Sequence, residues 1–293
     1  MTEPFPGATG TAPAATALPV TCAQLDGRDG TYDARVAEAL ATIGQAADAH
    51  RSGGRDAGLV VLPELWPVGF FHFRDYERSA EPLDGPVVSA VCAQARQSNV
   101  WVLGGSFVER SAAGLHNTTF LASPEGEVAL TYRKIHLFGY QSAEAELLVA
   151  GDRPACVSTP FGRVGAMTCY DLRFPELSRA MVDGGAEIIL VTSAWPAARI
   201  EHWRVLLRAR AVENQVWIVA ANTAGSDAGT VLGGHSAIVA PDGEVLAEGG
   251  GDAEHVSAVI DATAASAVRR DLPFLQDRRF RVHLSSGESG DPR

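Results

Sequence analysis

Long apolar runs are missing from this chain. Although 46% of its 293 residues are hydrophobic, no stretch approaches the ~18 consecutive apolar residues that a membrane-spanning helix needs. Positive charge is also short, with 24 Lys and Arg against 35 Asp and Glu and a net charge of −11. Without a broad positive field, neither a nucleic acid nor an anionic membrane surface is an expected partner. The local basic spot at Arg278, Arg279 and Arg281 reads as a solvated edge. Cysteine is sparse: Cys22, Cys92, Cys156 and Cys169 lie far apart with no CxxC pair, which argues against a disulfide framework. No histidine pair has zinc spacing, and neither a GxxxxGK[ST] loop nor a GxGxxG after a strand occurs, so no metal or nucleotide cofactor is expected. The N-terminal MTEPFPGATGTAPAATALP lacks a basic region followed by a continuous apolar one and reads as a flexible tail over 1–18. Free thiols and no export signal point to the cytoplasm.

What the chain does have is alternation of short apolar runs with amphipathic segments. VTCAQL, LVVL at 59–62 and VWVLGGSF at 100–107 read as strands. Between them, 32–51 reads as a helix with Val36, Leu40, Ile43 and Ala47 on its buried face, and a second helix starts at Pro86. Residues 118–122 and 128–134 flank a PEGE turn as a hairpin. Two strands then meet around Pro160-Phe161-Gly162. Helices over 175–182 and 199–214 alternate with strands at 188–192 and 216–221. A hairpin around APDGE and a strand at 256–260 finish the pattern. Hairpins mixed with helix-linked strands imply an α/β protein with mixed sheets rather than a purely parallel one. No composition break interrupts 19–271, so one domain is expected there, with 272–293 as a C-terminal tail.

Three reactive side chains share one placement. Glu64 follows LVVLP, Lys134 ends VALTYRK and Cys169 ends RVGAMTC, each at the C-terminal end of an apolar strand. Such ends gather in one crevice of an α/β sheet. A thiol is mostly protonated near neutrality and needs a base beside it. A carboxylate can take that proton, and an ammonium can hold an oxyanion. A serine amidase reading based on GGS at 104–106 is weaker, because that motif lies inside an apolar strand.

The motifs LPELW around Glu64, YRKIHLF around Lys134 and GAMTCYDLRFPEL around Cys169 resemble, together and in order, the nitrilase superfamily of carbon–nitrogen hydrolases. HWRVLLRARAVENQVWIVAAN extends the resemblance, which covers residues 20–271. It implies a four-layer α-β-β-α sandwich with two mixed β-sheets, dimerising through helices into a homodimer or higher homo-oligomer. It implies Cys169 as nucleophile, Glu64 as general base and Lys134 as the oxyanion's cation, with the backbone N–H of Tyr170 as a second oxyanion donor. A second glutamate belongs between Lys134 and Cys169. GYQSAEAELLVAGD offers Glu144 or Glu146, and counting back from the glycine favours Glu144.

Nitrilases of this superfamily carry Cys-Trp-Glu, whereas this chain has Cys169-Tyr170-Asp171, closer to omega-amidases and to amidases of deaminated glutathione. The resemblance therefore implies hydrolysis of a small amide through a thioester, releasing ammonia and a carboxylic acid. Hydrolysis of an N-carbamoyl compound or a nitrile, and a non-catalytic scaffold on this fold, are the alternatives. Arg173 is the expected partner of a distal substrate carboxylate, with pairing to Glu176 or to a carboxylate across a subunit contact as the competing role. Phe70, with Phe71, His72 and Phe73, is expected to wall the pocket, and Trp195 to contact substrate. Trp203 and Asn222 read as structural supports and His235 as a core histidine.

Overall fold

The computed structural model describes residues 17–280 apart from Asp29, Asp56 and Gln141. The first half of the chain builds one sheet and its covering helices. Strand β1 (Ala17–Gln24) leads through helix α1 (Tyr32–Ser52) to β2 (Leu59–Val61). A four-residue helix α2 (Tyr76–Ser79) and the longer α3 (Pro86–Ser98) precede β3 (Trp101–Ser111), β4 (Gly114–Ala122) and β5 (Val128–Arg133).

The second half repeats the theme. A short α4 (Glu144–Leu147) comes before β6 (Ala155–Thr159), β7 (Gly162–Thr168), α5 (Pro175–Asp183) and β8 (Ile188–Ser193). Then follow α6 (Ile200–Asn214), β9 (Trp217–Asn222), the small ribbon β10 (Ser226–Asp227) and β11 (Thr230–Val231), and β12 (Ala237–Val239). The last elements are β13 (Val245–Glu248), β14 (Glu254–Asp261) and α7 (Ala264–Asp271).

Among the described residues two six-stranded sheets form, ordered β14-β1-β2-β3-β4-β5 and β13-β12-β9-β8-β7-β6. In each, three central strands run parallel (β1-β2-β3 and β7-β8-β9) and antiparallel strands flank them. Successive strand side chains point to opposite faces, and LVVL shows what that does here. Leu59 and Val61 enter the core between the sheets, beside Val164, Ile188 and Val219. Val60 and Leu62 face outward onto Ala39, Ile43, Val88 and Val91 of α1 and α3. Both faces are dry, which is why the run does not alternate with polar residues. Trp203, Leu207 and Ala211 of α6, with Leu177 and Met181 of α5, cover the outer face of the second sheet. The result is the α-β-β-α sandwich.

Several boundaries differ from the sequence reading. The β3–β4 hairpin runs four residues further on each side, because Val108↔Asn117 and Glu109↔His116 continue the ladder with polar side chains. On α1, Val36 and Leu40 are only partly buried, and Ala39, Ile43, Ala46 and Ala47 form the inner face. Helices α4 and α7 lacked an apolar period long enough to be seen. Of the expected tail, 272–280 is tied down: Gln215 Nε2 donates to Leu272 O at 2.7 Å, and Arg278 pairs with Asp183 rather than forming a free basic edge. Residues 281–293, and the expected N-terminal tail apart from Ala17 and Leu18 in β1, lie outside the described residues.

Candidate active site

Glu64 leaves the end of β2 on a loop that rests on a bulge in β3. Gly105 of that bulge has φ +65°, and a Cβ there would lie 2.1 Å from Pro63 O. Only glycine lets the two backbones approach so closely. Ser106 Oγ accepts from Leu65 N at 2.9 Å. The GGS motif is therefore a bed for the Glu64 loop, not a nucleophile mount.

The Glu64 carboxylate is fully enclosed. Its Oε2 accepts from Ala194 N at 3.0 Å, and its Oε1 accepts from Lys134 Nζ and Asn117 Nδ2, each at 2.8 Å. Lys134, just beyond β5, also donates to Glu144 Oε1 and Oε2, both at 2.9 Å. Glu144 is held in turn by Asn117 Nδ2 at 2.9 Å and by Phe138 N at 2.7 Å. None of the Glu64, Lys134 and Glu144 side chains is exposed to solvent. Glu146, the other candidate, lies on the opposite side of this short helix and is exposed.

Cys169 directly follows β7 and begins a 3₁₀ turn over Cys169–Arg173. Its φ of +46° is in the left-handed region that a β-carbon disfavours. Asp171 holds it there. Its Oδ2 accepts from Tyr132 Oη at 2.6 Å and Thr168 N at 3.0 Å, and its Oδ1 accepts from His136 N at 2.9 Å. The first N–H groups of such a turn have no carbonyl within it to pair with, and Tyr170 carries the one directly after the thiol.

Burial and the neighbouring Glu64 carboxylate push the Cys169 thiol well above its ordinary pKa, outweighing the pull of Lys134. Burial works against the Lys134 ammonium, but Glu144 and Glu64 more than offset it, so its pKa rises and it stays charged. Burial, aided by Glu64, raises Glu144 despite Lys134. The resting cluster thus sets a neutral thiol beside the Lys134 cation.

A cleft opens over Cys169, lined by Phe70, Phe71, Phe138, Tyr170, Arg173, Trp195 and Arg199. His72 and Phe73 are not part of it: His72 Nε2 lies 2.8 Å from Asp227 Oδ1, and Phe73 packs edge-on to Tyr76. Arg173 does not pair with Glu176. Its guanidinium lies 4.5 Å from the Trp195 ring centre. His235 is not a core histidine either; it is part-exposed, with Nδ1 2.8 Å from Glu248. Trp203 is buried and donates to His235 O at 2.7 Å, and Asn222 Oδ1 accepts from Trp195 N at 2.6 Å. A second cleft, on the far side of Phe70 and Ala194, reaches Glu64 but not Cys169.

Sequence reasoning passed over Asn117, Asp171 and Arg199. For Asn117 a signal existed: HNTTF places four polar residues in a row inside a strand, and His116 to Thr119 are all buried. Buried polar runs need partners, so such a run marks a network. Nothing in the local pattern distinguishes Arg199 from a solvated arginine.

A carboxylate, an ammonium and a thiol gathered at the strand ends of an α-β-β-α sandwich define the class: a nitrilase-type fold. The chain belongs to the carbon–nitrogen hydrolase family, whose model matches residues 20–270. It is 37% identical over 246 residues to the 2-oxoglutaramate amidase of Paenarthrobacter nicotinovorans, covering 81% of this chain and 84% of that protein. It is 34% identical over 250 residues to the omega-amidase NIT2 of Mus musculus, covering 80% and 87%. Among solved structures, Nit3 of Saccharomyces cerevisiae, a member of branch 10 of the nitrilase superfamily, superimposes with a TM-score of 0.81 at 28% identity, covering 92% of this chain and all of that one.

Proposed function

We propose that this protein hydrolyses the terminal amide of a small carboxylic acid, in the manner of an omega-amidase. The observation that carries this is the buried Glu64–Lys134–Glu144 cluster beside the Cys169 thiol, in a cleft whose wall holds Arg173 without a carboxylate partner among the described residues. The names of the relatives, 2-oxoglutaramate amidase and omega-amidase, favour an amide over a nitrile or a carbamoyl group.

The cycle runs as follows. Glu64 takes the thiol proton as the sulfur attacks the amide carbon, which is necessary because the resting thiol is neutral. The oxyanion is held by the Tyr170 N–H and the Lys134 ammonium. Lys134 spends its three N–H donors on three carboxylate oxygens at rest, so one of these bonds is redirected as charge develops. Protonated Glu64 returns its proton to the leaving nitrogen, ammonia departs and a thioester remains on Cys169. Glu64 then deprotonates water, which attacks the thioester and releases the acid and the thiol. Glu144 and Asn117 position the lysine and the base. Phe70 and Trp195 wall the cleft.

Residues 19–271 act as one catalytic domain, working in the cytoplasm as a homodimer or higher homo-oligomer. Four free cysteines suit a reducing compartment. The test is ammonia release from glutaramate-like, succinamate-like, carbamoyl and nitrile compounds. Turnover of the first two, abolished by Cys169→Ala, is expected; full-rate turnover by the alanine variant would end this reading.

A further inference from the structure

The partition between the two clefts is held by a residue that the proposed cycle does not use. Phe70 and Phe71 wall the cleft over Cys169, and the Phe70 ring centre lies 5.3 Å from Lys134 Nζ. Both belong to the loop that follows Glu64. Outside a ladder, a buried backbone needs partners sent from elsewhere to fix it. Tyr76 Oη donates to Phe70 O at 2.5 Å. Asp227, 156 positions further along the chain, accepts from Phe71 N through Oδ2 at 2.9 Å. Its Oδ1 lies 2.8 Å from His72 Nε2, and His72 Nδ1 lies 3.8 Å from Asp75 Oδ2. The Phe70 and Phe71 rings meet edge to face at 4.9 Å, so a shift of one moves the other.

Asp227 reaches this contact from a strained turn. It pairs with Thr230 across the two-residue turn of the β10–β11 ribbon, where Ala228 and Gly229 have φ +46° and +82°. Such a turn suits Asn-Gly or Gly-Gly, and an alanine in the left-handed region is disfavoured. Of residues 226–231 only Asp227 is buried. Strain that persists is held by its surroundings, and here it delivers one carboxylate inward. From the other side Gly69, at φ +87°, admits it: a Cβ there would lie 2.7 Å from Asp227 Oδ1 and 2.6 Å from His72 Cδ2. Asp227 lines the second cleft and not the one over Cys169, so any effect it has on the substrate passes through the wall.

We propose that Asp227 is a positioning residue that sets which acyl length the cleft accepts, by latching the Phe70–Phe71 wall through Phe71 N and His72. A wall held at its backbone presents one depth, whereas an unlatched one follows the substrate. In an apolar pocket one methylene is worth about 10- to 200-fold in kcat/KM, and a wall that gives way forfeits that discrimination. The choice of acyl length rests on the amidase reading above; the latch on the loop does not.

The experiment has a turnover arm and an exchange arm. In the first, kcat and KM are measured for succinamate, glutaramate and adipamate. Asp227→Ala is expected to shrink the kcat/KM ratio between the best and next-best length by about 10-fold, chiefly through a higher KM for the best. Asp227→Asn keeps an acceptor for Phe71 N and retains most of the ratio. His72→Gln removes the second contact, moves the ratio the same way by less, and serves if Asp227→Ala does not fold. Phe71→Ala also loses the ratio, and adding Asp227→Ala to it changes nothing further, because one residue acts through the other. An unchanged ratio overturns the latch. So does an equal loss of kcat for all three lengths, which would mean that Asp227 only supports the fold. In the second arm, amide hydrogen exchange over residues 65–73 quickens in Asp227→Ala and not in Asp227→Asn; equal protection in both overturns the latch. If the unsubstituted enzyme released no ammonia from any amide, the amidase reading would fail, and the exchange arm would still decide the latch.

Discussion

Lys134 Nζ donates to Glu64 Oε1 at 2.8 Å although the two residues are 70 positions apart, and neither side chain is exposed. With Glu144 at 2.9 Å, one buried cation serves two buried carboxylates. Such an arrangement holds only while it is complete, because a buried charge deprived of its partner keeps its full desolvation cost. Lys134→Met is therefore expected to destabilise the fold by about 3–5 kcal/mol. It should also lower kcat by at least ~10²-fold, as loss of an oxyanion donor does. Urea unfolding and ammonia release check the two effects, and an active, equally stable variant would contradict this account.

The state of the thiol makes a second prediction. Cys169 is raised by burial first and by Glu64 next, so the thiol remains protonated across the working range. The thiolate ultraviolet band, taken as the difference between the wild type and Cys169→Ala, should be absent from about pH 6 to 9. A band already titrating in near neutrality would mean that Lys134 outweighs Glu64, and that no base is needed for attack.

Asn117 is the third case. Its Nδ2 bridges Glu64 Oε1 at 2.8 Å and Glu144 Oε1 at 2.9 Å, which keeps two like charges apart at a fixed separation. Asn117→Ala removes two charge-assisted hydrogen bonds, each worth about 1.5–3 kcal/mol, and should lower the unfolding midpoint accordingly. Asn117→Asp, nearly the same shape, adds a third carboxylate and should be worse than alanine in kcat. Equal activities for the two would show that the amide only fills space.

His50 supplies a pH dependence away from the site. Its Nε2 lies 2.9 Å from Thr21 Oγ1 and its ring is packed against Gly58. Burial, with a smaller contribution from Arg51, lowers its pKa to about 4. In the unfolded chain it titrates near 6.5, so the unfolded state takes up the proton first as pH falls. The stability from a neutral His50 is full above pH ~6.5 and is lost as pH drops towards ~4. Allowing for partial solvent screening, the loss is about 1–2 kcal/mol. His50→Gln should flatten the pH dependence of the unfolding midpoint over this window; an unchanged slope would place the titration elsewhere.

Much of this protein can be read along the chain. Strands stop where Pro63, Lys134 and Cys169 follow apolar runs, because backbone and solvation preferences act over a few residues. The order of the motifs carried the family, and with it the sandwich. Short elements were the ones missed: four residues of α4 make barely one helical turn, too few for a period to show.

What the sequence by itself determined is which atoms are available: one thiol, one base and one cation at strand ends, and a choice of glutamates. Only the tertiary structure decided between Glu144 and Glu146, since two residues along a short helix separate a buried position from the surface. It also turned a serine motif into the support under Glu64, brought Asn117 between two carboxylates, and stood Arg199 and Arg173 in one cleft without a carboxylate partner among the described residues. Each of these depends on partners distant in sequence meeting across strands and loops, and no local pattern records whether a polar side chain will find water, a carboxylate or an aromatic face.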